Sequence, residues 1–204
     1  MFDMHSLVHL ATQRWNEDDG REEEIQQLAL TRIVEAFPTD DWENREVWRR
    51  YLPHALRVLT IMDSDGSEDA CELGYWVGRC LRVDGKARQA VGILGHVVSV
   101  RETTLAENHP DRLASQHALA GAYQANGQVA EAVKLLEHVV AIEETTLAEN
   151  HPSRLALQHA LAGAYQANGQ VAEAVKLLEH VVAIRETILA ENHPSRLASQ
   201  HVLA

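Results

Sequence analysis

The chain has 204 residues, of which 46% are apolar and 24% charged, enough for one to two domains with a buried core. Its formal charge of −12 argues against a surface that neutralises nucleic-acid phosphates or anionic lipid, and no apolar run approaches the ~18 residues of a membrane span. Aromatic residues make up only 5%, while histidine occurs 12 times. Cys71 and Cys80 are the only cysteines, and their spacing fits neither a CxxC pair nor a disulfide framework. That usage predicts a reducing, cytoplasmic setting. Met1–Gly20 is acidic and amphipathic without an apolar centre, so no secretory leader is expected.

In chain order, Met4–Trp15 reads as an amphipathic helix with Leu7, Val8, Leu10, Ala11 and Trp15 on its apolar side. The acidic runs Glu17–Asp19 and Glu22–Glu24 read as a solvated loop and a helix start. Arg21–Phe37 is a second helix, ended by Pro38-Thr39-Asp40-Asp41. A third runs from Trp42 to Met62 with Pro53 inside, where a kink or break is expected. Asp63–Glu68 is the best linker.

Beyond that linker the chain repeats itself. The string LAENHP begins at Leu105, Leu147 and Leu189, a spacing of 42 residues. His109–Asn150 and His151–Asn192 share 38 of 42 positions. They differ only at Asp111/Ser153, Ser115/Leu157, Glu143/Arg185 and Thr146/Ile188. A degenerate copy covers 67–108, and a partial copy covers 193–204. Residues 1–66 carry net −7 and residues 67–204 net −5, so the flank is the more acidic region.

Each copy reads as two helices. The first runs from Pro152 to Ala167, with proline in the first turn where its missing N–H is not needed. Leu155, Gln158, Leu161, Ala162 and Tyr165 recur at three- and four-residue steps on one face. Asn168-Gly169 stops it, since glycine accepts the left-handed conformation past a helix end. The second runs from Gln170 to Ala190 on Val171, Ala174, Leu177, Leu178, Val181, Val182 and Ile184. One such hairpin cannot bury both apolar faces. Stacked copies can, which predicts an all-α fold: an α-solenoid of helical hairpins behind a helical linker region.

The order Leu161-Ala162-x-x-Tyr165, Gly169, Val171, Ala174, Leu178 resembles a tetratricopeptide repeat. The family's early Trp is replaced by Gln158, and its terminal Pro is absent. The 42-residue period with an Asn-His-Pro junction resembles the kinesin-light-chain type of TPR. In such arrays the first helices line the concave groove. The resemblance therefore implies a protein or peptide ligand at His117, Gly121, Gln124, His159, Gly163 and Gln166.

The flank resembles a second family. Phe2-Asp3-Met4-His5-Ser6-Leu7-Val8 resembles the Met-His-Asp motif that closes the winged-helix part of NB-ARC signalling ATPases, with Ser6 in place of Asp. Phe37-Pro38, Trp42-Glu43-Asn44 and Leu52-Pro53-His54-Ala55 resemble the segment leading into the repeats of fungal NLR-like NB-ARC/TPR (STAND) proteins. The resemblance makes residues 1–20 the end of a winged-helix-like module, 21–66 a helical linker and 67–204 the TPR array. It implies a nucleotide-binding domain upstream and a nucleotide-sensing role for His5.

No catalytic motif is present: there is no GxxxxGK[ST], GxSxG or HExxH, so no enzyme and no cofactor are expected. The ladders His117, His159, His201 and His138, His180 leave a metal-binding or structural array as one alternative, although no metal site is expected. His109, His151 and His193 are expected to end one helix and start the next. A kinesin-light-chain-like cargo adaptor is the other alternative. The differing positions Ser115, Leu157, Glu143 and Arg185 are read as a variable surface. The last copy stops inside its first helix, which predicts self-association near Glu173–Ala204.

Overall fold

A computed structural model describes residues 21–61, 66–188, 193, 194 and 197. Eight α-helices and one short 3-10 turn account for the regular structure among the described residues, and no strand occurs there. The helices are α1 Glu22–Ala36, α2 Arg45–Ile61, α3 Glu68–Val83, α4 Ala87–Thr104, α5 Pro110–Ala125, α6 Val129–Thr146, α7 Pro152–Ala167 and α8 Val171–Ile188. The helix expected over Met4–Trp15 and the partial copy's hairpin start lie outside the described residues, apart from the three isolated positions of the latter. The chain divides into two compact units, Met1–Val77 and Gly78–Ala204. The division falls inside α3, later than the linker at Gly66, because the second half of α3 packs on α4. An added Cβ at Gly78 would stand 2.4 Å from Leu94 Cγ.

In the first unit, α1 buries Leu30 and Ile33, and α2 buries Trp48, Leu52 and Ala55. A 3-10 turn, Trp42–Asn44, leads into α2. The guanidinium of Arg45 sits 4.2 Å over the Trp42 ring. The break expected at Pro53 does not occur, and α2 continues through it. Pro53 and Arg49 are both exposed, so water can take the carbonyl that the missing N–H leaves free.

In the second unit the helices pair as consecutive hairpins. Gly85, Gly127 and Gly169 turn each hairpin at φ of +77°, +80° and +81°, a region that favours glycine. The expected helix Pro152–Ala167 has those bounds. The second helix of that copy is described over Val171–Ile188. His109 and His151 act as helix starts in a specific way. Each Nδ1 accepts the backbone N–H two residues on, from Asp111 at 3.3 Å and Ser153 at 3.2 Å. They are N-caps, with proline next in line.

The core runs continuously from hairpin to hairpin. One cluster joins Leu113 and Ala120 of α5, Val133, Leu136 and Val139 of α6, and Leu157, Leu161 and Ala164 of α7. Polar ties recur at each junction. Arg112 Nη1 donates to the carbonyls of Glu102 (3.2 Å) and Leu105 (3.1 Å), and Arg154 Nη1 does the same for Glu144 (3.4 Å) and Leu147 (3.2 Å). These arginines satisfy the carbonyls at the end of the preceding helix. Gln158, in the place of the family's Trp, is buried and donates to Glu144 Oε1 at 3.1 Å; Gln116 donates to Glu102 Oε1 at 2.9 Å.

Candidate functional site

The first helices place the expected groove residues at matching registers: His117, Gly121 and Gln124 on α5, and His159, Gly163 and Gln166 on α7. All six retain access to solvent. Nothing lies within 4 Å of a Cβ added at Gly163. At Gly121 such a Cβ would meet Arg82 Cδ at 3.7 Å and Nε at 3.8 Å. This face is therefore open at Gly163 of α7 and bordered by Arg82 at Gly121 of α5.

The electrostatics differ between the two registers. His117 keeps an open side, but its crowded surroundings desolvate it. This burial, followed by the charges of Arg79 and Arg82, holds its imidazole below the usual histidine range. His159 is lowered by burial and then by Arg185. The α5 register thus lies beside two cations, Arg79 and Arg82. Arg79 and Arg82 stand 42 residues before Gly121 and Gln124, so the period itself could have found them. The low identity of the first copy hid them.

Four predicted site residues require correction. Ser115, Leu157, Glu143 and Arg185 are not a variable surface; they are 0%, 2%, 8% and 6% exposed. They sit where the end of a second helix meets the neighbouring first helices. Arg101, in the register of Glu143 and Arg185, donates from Nη1 to Ser115 Oγ at 2.7 Å and to the Asp111 carbonyl at 3.1 Å. Arg185 Nη2 donates to the Leu155 carbonyl at 3.1 Å. Leu157 instead joins the apolar cluster. Glu143 makes no comparable bond, and its Oε2 is buried without a hydrogen-bond partner. Burial raises its pKa above the usual carboxylate value, against the opposing charges of His151 and Arg154.

A cavity of about 620 Å³ lies over Glu143, between the first halves of α5 and α7. Its wall includes Leu113, Ala114, His117, His151, Ala156 and Leu157. A second depression of similar volume lies on the other side, along α6 and α8. There the Tyr165 hydroxyl donates to Glu137 Oε1 at 2.8 Å. Burial, that bond and the charges of Glu137 and Glu173 push its pKa up to about 12.

The second-helix histidines pair with acids of the junction loops. His138 Nε2 lies 3.8 Å from Glu107 Oε1, and His180 Nε2 lies 3.5 Å from Glu149 Oε1. Among the described residues no group of three His, Cys, Asp or Glu side chains is placed to hold a metal ion. Cys71 and Cys80 are both buried. No helix among the described residues is long and apolar enough to cross a membrane. His5 lies outside the described residues.

Stacked hairpins of this geometry match known proteins. Residues 70–145 and 154–195 each match the tetratricopeptide-repeat family. The chain belongs to that family. The TPR chain is 48% identical to a solved structure of nearly identical TPR-like repeats from Podospora anserina, described there as of kinesin-light-chain type. The match has a TM-score of 0.67 and covers 79% of this chain and 82% of that one. A single-substitution form of the same repeats matches at 47% identity and a TM-score of 0.68, with the same shares covered. The TPR chain is also 34% identical over 118 residues to a nucleotide-binding leucine-rich repeat (NLR)-like protein of Hyaloscypha variabilis. That match spans 57% of this chain and 12% of the relative's length.

Proposed function

We propose that this TPR chain is the non-catalytic recognition and scaffold region of a fungal NLR-like signalling ATPase, working in the cytoplasm. Its array binds a protein or peptide along the first-helix face and holds an upstream NB-ARC module inactive until that ligand arrives. The observation that carries the reading is the conjunction of a stacked array with the NLR-like relative. The accessible, polar face of α5 and α7 supports ligand binding there. By resemblance, residues 1–20 contribute the end of the winged-helix module, and His5 senses the nucleotide. A peptide library displayed against the chain is expected to yield binders. Alanine at His117, Gln124, His159 and Gln166 together should abolish their binding. Binders that ignore those four changes would refute the groove.

A second reading, a kinesin-light-chain-like cargo adaptor, is favoured by the Podospora likeness. The reading frame upstream separates them: a P-loop module supports the signalling ATPase, and a heptad coiled coil supports the adaptor. Self-association through the last repeat belongs to either reading. Val175 of α8 is 38% exposed, whereas its counterpart Val133 of α6 is 5% exposed within the cluster shared with α7. Light scattering at rising concentration should show growth beyond the monomer, and a strictly constant mass would count against it.

A further inference from the structure

The array holds one buried register at which the charge changes sign between copies. Arg101, Glu143 and Arg185 stand 42 residues apart and are 4%, 8% and 6% exposed. Arg101 meets the hydroxyl of Ser115 and the carbonyl of Asp111. At the next junction the longer cation is replaced by a shorter carboxylate, and the hydroxyl is replaced by Leu157. Glu143 Oε2 is thereby left buried with no hydrogen-bond partner. Such an atom bears the full cost of desolvation.

Arg154 and His151 both oppose the raised pKa of Glu143, and neither bonds its Oε2. Arg154 Nη1 donates to the carbonyls of Glu144 and Leu147. His151 accepts the N–H of Ser153 through Nδ1. The cavity of about 620 Å³ is also lined by Glu143. Its walls suit a long apolar stem: Leu113, Ala114 and Leu157. A guanidinium is planar, weakly hydrated and rich in donors, and its stem packs on apolar walls.

We propose that the cavity over Glu143 is a subsite for an arginine side chain of a bound peptide. The incoming guanidinium supplies the donor that Glu143 Oε2 lacks and brings a cation to a register that holds Arg101 and Arg185 in the flanking copies. This assignment rests on the peptide-binding reading of the array and adds to it the chemistry of one ligand residue.

The test uses the isotope-labelled 204-residue chain, followed by two-dimensional amide NMR. N-acetyl-arginine amide is the probe, and N-acetyl-citrulline amide is its uncharged counterpart. Saturable shifts at Glu143, His151 and Leu157 are expected with the arginine probe. Citrulline, and the variant Glu143→Gln, should each bind about tenfold more weakly, the order of a lost charge-assisted hydrogen bond. The double variant Glu143→Arg, Leu157→Ser installs the arginine–serine pair of the α4–α5 junction and should remove the site in a folded chain. Equal affinity for the two probes, shifts that persist in the double variant, or no saturable shift in the unaltered chain would overturn the proposal. Displayed peptides that bind while the arginine probe does not would remove this subsite alone. The reverse result would remove the groove reading and leave the subsite.

Discussion

The α4–α5 and α6–α7 junctions are built on one plan and closed by opposite chemistry. Both keep the arginine tie to the preceding helix end and the Gln–Glu bond beside it. In the first, Arg101 Nη1, Ser115 Oγ and the Asp111 carbonyl are joined by hydrogen bonds. In the second, Leu157 extends the apolar cluster while Glu143 is left without a donor. The comparison shows that the backbone of a repeat tolerates either solution, because α-helical hairpins dock mainly through the shared apolar positions. The unsatisfied carboxylate oxygen at the second junction is the group on which the proposed arginine subsite rests.

Four measurements break or sharpen that comparison. The largest effect is expected from Arg101→Glu, which removes the guanidinium and buries a second carboxylate. A loss of about 3 kcal/mol in urea unfolding is expected. Adding Ser115→Leu should recover part of it, and strict additivity in that double-mutant cycle would show that the two positions do not act as a pair. Next is Gly78→Ala, which drives a Cβ into Leu94. It should cost about 2 kcal/mol, whereas Gly163→Ala, in open space, should be neutral or slightly stabilising. Equal effects of the two would refute the close approach of α3 and α4.

Third, His151→Ala removes an N-cap and should lower stability by about 1 kcal/mol, while His151→Asn should retain most of it. The smallest effect is a pH slope. Glu143 has a folded pKa above its ordinary 4.5 because burial disfavours its charge. The folded state therefore holds its proton longer, and this contribution to stability is present below pH 4.5 and fades as pH rises through the folded value. Glu143→Gln should remove that slope in chemical denaturation across mildly acidic pH. His117 works in the opposite direction. Its lowered pKa means that the unfolded chain binds the proton first, so stability falls as pH drops below the ordinary 6.5.

The elements were legible because their signals are local. Pro110 and Pro152 open helices, Gly127 and Gly169 close hairpins, and the apolar steps between them give the bounds of α5 and α7. The matching registers of α5 and α7 were legible for the same reason: a 42-residue period carries any face forward unchanged. Pro53 does not break α2, because a proline on an exposed helix face leaves its free carbonyl to water. His5 and the helix expected over Met4–Trp15 lie outside the described residues.

The sequence by itself determined the helical hairpin, its period and the caps that bound it, since each depends on residues within one turn of the chain. Burial of Ser115, Glu143, Leu157 and Arg185 was decided only by tertiary structure. A helix in a stacked array has two contact faces, one toward its hairpin partner and one toward the next hairpin. The apolar pattern within one copy reports the first face clearly. The second face can be polar, as at Arg101 and Ser115, or mixed, as at Glu143 and Leu157. Such positions become interior only when the neighbouring repeat closes over them.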